Sequence, residues 1–107
     1  MSKAASRIRV RHYTRKNRLA SLRNANQIQA GDQNKVFVEK ARRKPLSPRD
    51  AEEKYGLEQG KGKAYVEFDV TSEELHYQKN SKIPAREEYY LLGDVDLAGR
   101  RPEYFER

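Results

Sequence analysis

The residues from Arg7 to Thr14 alternate basic and apolar side chains, which is the two-residue period of a β-strand. Successive strand side chains point to opposite faces, so Ile8, Val10 and His12 share one face of this predicted strand. His12 ends the apolar row at the carboxyl end of the strand, where the chain turns polar and ligand sites commonly form. A structural histidine, buried and bonded to the backbone, fits this pattern equally well. The opposite face carries Arg7, Arg9, Arg11 and Tyr13.

Strand and helix patterns alternate along the rest of the chain and predict one α+β domain. The clearest signal is Ser47-Pro48-Arg49-Asp50, which orders a helix cap, a first-turn proline and an acidic third residue, with Gly56 as the stop. A chain of 107 residues has room for one domain with a modest core. We therefore expect a disordered segment or linker over residues 1–6 and one domain over residues 7–107. The predicted strands are Arg7–Thr14, Asn34–Glu39, Ala64–Val70 and Arg86–Leu97, the last broken near Gly93, and the predicted helices are Arg15 to about Asn24 and Pro48–Tyr55.

Charge is the next constraint, because 23 lysines and arginines against 16 aspartates and glutamates give a net charge of +7. Such an excess favours anionic partners, including nucleic acid, acidic proteins and phosphorylated ligands. The basic residues concentrate in the N-terminal half, so the surface that faces a polyanion is expected there. The candidates for substrate binding are Arg7, Arg9 and Arg11, together with the basic loops at residues 40–44 and 61–63.

Several classes of protein are disfavoured by what the sequence lacks. The chain has no cysteine, which excludes a disulfide framework, a cysteine nucleophile and a zinc-thiolate site. No apolar run approaches membrane length and no signal-peptide pattern opens the chain, so we expect a protein that is soluble where it acts and has no membrane partner. A C-terminal domain cut from a larger protein would show the same features.

Phe37, Tyr55 and one of two consecutive glutamates are further candidates for function. Phe37 points away from the core if the valines on either side of it face inward, and it then needs cover of its own, such as a stacked flat ring. Tyr55 lies on the inner face of its helix, where packing into the core with the hydroxyl in water is the simpler interpretation. Glu87 and Glu88 are consecutive in a strand, so one of them must share a face with apolar residues.

Four short motifs in this chain resemble, in the same order, those of a known family. They are Arg11-His12-Tyr13-Thr14, the segment Leu46–Glu52 (LSPRDAE), the segment Tyr65–Val70 (YVEFDV), and Glu88-Tyr89 before Gly93-Asp94-Val95. They are similar to the His-Tyr-Glu ADP-ribosyltransferases, and most to the toxin domains at the C-termini of bacterial polymorphic toxins, over residues 7 to about 97. The resemblance implies an α+β fold, with a small split antiparallel β-sheet core like that of poly(ADP-ribose) polymerases and two or three short helices.

The resemblance also implies the chemistry and its main residues. NAD is the donor, and breaking its nicotinamide–ribose bond passes through an oxocarbenium-like ribose, for which no metal is required. His12 would hydrogen-bond a ribose hydroxyl, with backbone groups around Tyr13 meeting the nicotinamide amide and Thr14 nearby. Glu88 would bind the reactive ribose 2′-hydroxyl, stabilise the positive charge and help to remove the acceptor's proton.

By the same resemblance, two aromatic rings sandwich the nicotinamide. Phe37 and Tyr55 occupy the matching positions. The family's strand aromatic is usually tyrosine, so Phe37 keeps the stacking face and loses the hydroxyl. Tyr13 and Tyr65 are the alternatives for the tyrosine role.

Partners and rival functions follow from the same features. A toxin of this kind would be secreted as part of a larger protein, delivered to the cytoplasm of a competing cell, and silenced in its producer by an immunity protein, which we expect to be acidic. RNA is the favoured acceptor because the basic residues could hold a phosphate backbone, with protein as the other choice. A small basic ribonuclease toxin using His12, Glu88 and arginines explains charge and size equally well. A non-catalytic nucleic-acid-binding module is disfavoured because exposed aromatics are not interleaved with the arginines.

Overall fold

The computed structural model of the protein describes residues 6–79 and 87–107. The elements in chain order are β1 (Arg7–Thr14), α1 (Lys16–Ala25), β2 (Gln27–Ile28), a 3-10 turn (Asp32–Asn34), β3 (Lys35–Lys40), α2 (Pro48–Tyr55), β4 (Ala64–Thr71), β5 (His76–Lys79), β6 (Glu87–Leu92), β7 (Val95–Asp96) and β8 (Glu103–Glu106). Six strands form one antiparallel sheet in the order β5-β6-β3-β1-β4-β8. Strands β2 and β7 form a separate two-stranded ladder.

The strongest sequence signals correspond to elements with the predicted bounds. Strand β1 and helix α2 begin and end at the predicted residues. The Ser47 hydroxyl accepts a hydrogen bond from the backbone N–H of Asp50 at 3.1 Å, and Gly56 ends the helix with φ 62°. Helix α1 and strands β3 and β4 each lie within one residue of the prediction at either end. Of the segment expected to be disordered, only Ser6 is among the described residues.

The late part of the chain differs from the prediction of a single broken strand. Strand β6 ends at Leu92, Gly93 turns the chain with φ 74°, and β7 leaves the main sheet to pair with β2. The predicted first residue, Arg86, lies outside the described ranges. Strands β5 and β8 are not predicted, because each is a short edge strand with few apolar residues and is held by backbone pairing to its neighbour.

One face of the sheet forms the main core with α1. Val10, Val66 and Phe68 are fully buried on this face, and Leu19 and Leu22 of α1 pack against it. Burying a side chain such as that of Phe68 stabilises a fold by roughly 1.5–3 kcal/mol. The predicted inward faces of β1 and β3 are therefore confirmed.

The opposite face of the sheet is covered as well, over strands β1, β4 and β8. Tyr13, Tyr65 and Ala51 form a second buried cluster there, with Leu46 and Tyr55 packed against it. The face of β1 that carries Arg11 and Tyr13 is therefore covered. Helix α2 and the segments that flank it supply the cover.

The sheet splits between its two central strands. Strand β1 pairs with β4 along its whole length, from Arg7↔Thr71 to Thr14↔Ala64. It pairs with β3 only at Val10↔Lys40 and Arg11↔Glu39. Beyond that point the end of β1 and the start of β3 line a cleft. The split antiparallel sheet predicted from the family resemblance is thus present.

Candidate active site

The cleft between β1 and β3 has a volume of about 860 Å³. Its walls are the end of β1, the start of β3, one face of α1 and the residues that follow α2. Asn17, Ser21 and Ala25 of α1 recur at helical spacing, so a single face of the helix borders the cleft. Pockets of roughly 300–1,000 Å³ typically hold small molecules and cofactors, so the cleft can take a ligand of that size.

His12 lies in this cleft just beyond the last paired residues of β1 and β3. Its Nδ1 is 2.8 Å from the carbonyl oxygen of Phe37, so in the neutral imidazole Nδ1 carries the proton and donates it. Burial lowers the pKa of His12 below the ordinary value of 6.5, and the bond to Phe37 opposes that shift only in part. A neutral ring held through Nδ1 leaves Nε2 to meet a ligand. The structural and ligand-binding interpretations of His12 are therefore compatible.

Glu39 lines the same cleft and accepts hydrogen bonds from three residues of two other elements, β1 and α2. Its Oε2 is 2.5 Å from Arg11 Nη1 and 2.7 Å from the Tyr13 hydroxyl, which both donate to it. Its Oε1 accepts a hydrogen bond of 2.5 Å from the Tyr55 hydroxyl. The carboxylate thus joins β1, β3 and the last residue of α2 at one side of the cleft.

Arg11 is the buried counterion of this cluster. It is 3 % exposed, and its guanidinium also lies 2.7 Å from Glu67 Oε2 and donates to the backbone carbonyl of Arg43 at 2.9 Å. Burial alone would lower the pKa of Arg11, but the hydrogen bonds to Glu39 and Glu67 outweigh it and raise the pKa. Arg11 is thus enclosed and paired in the structure, and substrate binding by Arg11 stays a prediction.

The two tyrosine hydroxyls of the cluster are held in the protonated form. Burial, followed by the hydrogen bond to Glu39, raises the pKa of Tyr13 to about 12. The same two causes raise the pKa of Tyr55 well above its ordinary value. Both hydroxyls therefore remain donors at neutral pH. The expectation that the Tyr55 hydroxyl reaches water is wrong, since its partner is the Glu39 carboxylate.

Three of the four aromatic candidates line the cleft. Phe37 is 42 % exposed, and both Tyr55 and Tyr13 line the same walls. Tyr65 is buried instead against Phe105, with ring centroids 4.7 Å apart and planes 20° from parallel. Tyr65 is not among the described residues that border the cleft, whereas Phe37, Tyr55 and Tyr13 are.

Glu88 lies on β6, the strand next to β3, and is outside the set of described residues that line the cleft. Its Oε2 accepts a hydrogen bond of 2.8 Å from Gln78 Nε2 on β5. Strands β3 and β6 pair at Val38↔Tyr89, and one further step of that register brings Glu88 opposite Glu39. Directly opposite residues of an antiparallel pair share a face, so Glu88 lies beside the cleft on the face of Glu39.

The other two arginines of the predicted basic stripe differ from each other in their surroundings. Arg9 is ion-paired to Asp69 at 3.1 Å and to Glu103 at 2.6 Å. Arg7 is exposed at the start of β1. The stripe is thus not a continuous row of available cations, and substrate binding by Arg7 and Arg9 stays a prediction.

Within the cleft itself, Arg18 and Lys61 line the walls without an ion pair to any acid in the part of the chain that is described. These cations suit a ligand that carries negative charge.

No group of three or more histidines, aspartates and glutamates among the described residues could hold a metal ion. In the same ranges no helix is both long and apolar enough to cross a bilayer.

A small split antiparallel sheet with a strand-end histidine, aromatic rings and carboxylates at its cleft defines an ADP-ribosyltransferase-like domain. The family model described as "HYD1 signature containing ADP-ribosyltransferase" matches residues 10–100. The chain therefore belongs to this family of ADP-ribosyltransferase toxin domains, a class of transferases that use NAD as the donor. No curated protein and no solved structure matches the chain significantly.

Glu39 is the candidate that the sequence pattern does not single out. It ends a predicted strand, a position from which an acidic side chain normally reaches water. The available signal is strand alternation, which puts Glu39 on the same face as Phe37. The partners that make Glu39 noteworthy come from β1 and α2, and no local pattern reveals them.

Proposed function

We propose that this toxin domain transfers ADP-ribose from NAD to RNA, with His12, Phe37, Tyr55 and Glu88 as the residues that handle NAD. The observation that carries the proposal is the convergence of His12, Phe37 and Tyr55 on one cleft from β1, β3 and α2. An imidazole and two aromatic rings are the groups needed to fix a ribose and a flat nicotinamide. Tyr13 and Thr14 border the same cleft and complete the wall at the end of β1.

The reaction breaks the bond between nicotinamide and the ribose C1′, and the electron pair leaves with nicotinamide. The ribose then carries positive charge, which a carboxylate beside it stabilises. An oxygen or nitrogen of the acceptor forms the new bond to C1′, and its proton passes to the same carboxylate. Glu88 is the proposed carboxylate because the family resemblance selects it through the Glu88-Tyr89 pair, and because it lies beside the cleft on the face of Glu39.

The charge of the cleft supports a dinucleotide as its ligand. NAD carries two phosphates between its nucleosides, and Arg18 and Lys61 border the cleft. Cations that line a cleft raise the local concentration of anions and speed their binding. We assign these two residues to the diphosphate.

RNA is the favoured acceptor on electrostatic grounds. The net charge is +7, and the loops at residues 40–44 and 61–63 add clustered lysines and arginines. Lys61 lies in one of these loops and also lines the cleft. A phosphate backbone held by such residues would bring a ribose hydroxyl or a base towards the reactive ribose of NAD. Protein remains the alternative acceptor.

The toxin family supports a wider biological proposal. The domain would be exported as part of a larger protein and would act in the cytoplasm of a target cell. The producing cell then needs an immunity protein, and opposite charge would speed its encounter with this basic domain, so the partner should be acidic. Co-expression of a small acidic protein encoded beside the toxin should restore the growth of cells that express this domain. If no such protein restores growth, the cognate inhibitor is not an acidic neighbouring protein.

The decisive experiment compares Glu88→Gln with Glu87→Gln. Purified protein is incubated with radiolabelled NAD and a cell extract, and nicotinamide release and label transfer are measured before and after nuclease or protease treatment. Glu88→Gln keeps the shape and removes the charge, so turnover should fall about 100-fold or more. Glu87→Gln is the matched control, because only one of two consecutive strand residues occupies a given face. It should stay close to the unaltered protein.

The possible outcomes separate the alternatives. Label that resists nuclease and migrates with a polypeptide would replace RNA by protein as the acceptor. An inactive Glu87→Gln beside an active Glu88→Gln would move the carboxylate by one residue. If both stay active, the acid lies elsewhere. The next variant is Asp94→Asn, because Asp94 lies in the last of the four motifs that resemble the family. RNA cleavage without NAD consumption would establish the ribonuclease instead.

A further inference from the structure

Glu39 and its counterion Arg11 have no assigned part in the reaction, although Glu39 hydrogen-bonds to Tyr55, one of the proposed NAD-binding residues. Two buried hydroxyls and one guanidinium converge on a single carboxylate at the wall of the cleft. Hydrogen bonds that involve a charged partner are roughly twice as strong as neutral ones. A cluster of this kind fixes its members in one arrangement more firmly than packing alone.

Tyr55 is the member on which NAD binding depends. It is the last residue of α2, followed by Gly56 with φ 62°, so its backbone lies at a helix end where the chain reverses direction. Its ring packs against Tyr13, with ring centroids 6.1 Å apart. The hydrogen bond from its hydroxyl to Glu39 Oε1 joins this helix end to the central strand β3, which also carries Phe37. The separation of the two proposed nicotinamide-binding rings is thereby set through Glu39.

Tyr13 is fixed by the same carboxylate from the other side. Its hydroxyl donates to Glu39 Oε2 and accepts a hydrogen bond of 3.0 Å from the backbone N–H of Leu46. Leu46 lies in the segment that leads into α2, so this contact anchors the other end of the same helix. Both ends of α2 are therefore tied to Glu39, directly or through Tyr13.

We propose that Glu39 is a positioning residue for NAD: its carboxylate, with Arg11 as counterion, holds Tyr55 and Tyr13 so that the cleft is formed before the dinucleotide binds. This role rests on the proposed function, because it assumes that the cleft is the NAD site. Glu39 does not itself touch the reacting atoms. Its loss should therefore weaken NAD binding more than it slows the chemical step.

The test is Glu39→Gln with Glu67→Gln as the matched control. Glu67 is the second partner of Arg11, 2.7 Å from the guanidinium, and it comes from β4. Both variants remove one carboxylate from the same arginine, so both should lower the melting temperature, Glu39→Gln by more because it also loses a hydrogen bond. Only Glu39→Gln loses an acceptor for Tyr55 or Tyr13. Its KM for NAD should rise about tenfold with kcat changed less than about threefold, whereas Glu67→Gln should keep the KM of the unaltered protein.

Two further measurements make the result specific. Calorimetric binding of a non-hydrolysable NAD analogue should show the same loss for Glu39→Gln without any turnover. Tyr55→Phe should raise KM in the same direction, and the double variant Glu39→Gln/Tyr55→Phe should be no worse than the more affected single variant. Additive losses would mean that the two residues act independently, which overturns the proposal.

The remaining outcomes are equally clear. Equal KM values for Glu39→Gln and Glu67→Gln would overturn the positioning role and leave the proposed function standing. A fall in kcat of about 100-fold with KM unchanged would make Glu39 the catalytic carboxylate, which also overturns it. If the unaltered protein neither consumes NAD nor binds the analogue, the proposed function itself fails and the role of Glu39 fails with it.

Discussion

Replacement of Arg11 by methionine tests whether this arginine is a structural counterion, as its burial indicates. Methionine keeps much of the side-chain length and removes the charge, so the Glu39 and Glu67 carboxylates, 13 % and 18 % exposed, lose their shared partner. Breaking a buried ion pair from one side costs about 3–5 kcal/mol. We take the lower end, about 3 kcal/mol, because both carboxylates keep some contact with water.

A loss of about 3 kcal/mol is a large part of the 5–15 kcal/mol that stabilises a typical domain. The melting temperature should fall by at least about 12 °C, since each kcal/mol is worth about 4–8 °C in a domain of this size. Urea unfolding gives the free energy directly, and Arg7→Met at the exposed start of the same strand is the control, with a change within about 0.5 kcal/mol. A loss below about 1 kcal/mol for Arg11→Met, or equal losses for both variants, would refute the structural role.

Three other predictions use the same protein. Burial holds the pKa of His12 below 6.5, so as pH falls the unfolded chain takes up a proton on His12 at a higher pH than the folded protein does. The free energy of unfolding should therefore fall as pH drops from about 7 to 5. The variant His12→Asn should flatten this part of the curve. Arg18→Ala should raise KM for NAD about three- to tenfold in low salt and less in high salt, whereas Arg23→Ala, on α1 but outside the cleft lining, should leave KM unchanged. A Cβ at Gly62 would lie 2.5 Å from the backbone oxygen of Pro48, so Gly62→Ala should lower the midpoint of urea unfolding, and an unchanged midpoint would show that the loop shifts freely.

Much of the fold could be predicted because its signals are local. Helix α2 is specified by a capping serine, a first-turn proline and a terminal glycine, all within ten residues of one another. The inward faces of β1 and β4 follow from alternation, which continues without a break through both strands. Strand β8 shows no such alternation in the sequence. It is a short edge strand that is held by its pairing with β4. The end of β6 at Leu92 was beyond prediction for a related reason: the pairing partner of β7 is β2, far away in the chain.

Some residues of the candidate site are likewise recognisable from the sequence, and others are not. His12 is recognisable from its motif, and Phe37 and Tyr55 from the positions that the family resemblance gives to aromatic rings; the structure brings all three to one cleft. Their roles towards NAD, and that of Glu88, stay predictions until the variants are measured. Glu39 could not be recognised from its neighbours in sequence, because its significance lies in hydrogen bonds to Tyr13 and Tyr55.

Arg11 shows most clearly what the sequence determines and what only the tertiary structure decides. The sequence by itself determines that Arg11 lies on the strand face opposite Val10, because the two-residue period leaves no other choice. It also determines the family, since the order and spacing of the motifs are properties of the chain. Only the tertiary structure decides whether that face meets water. Helix α2 and strands β3 and β4 enclose the guanidinium between two carboxylates, and a cation in such a setting stabilises the fold.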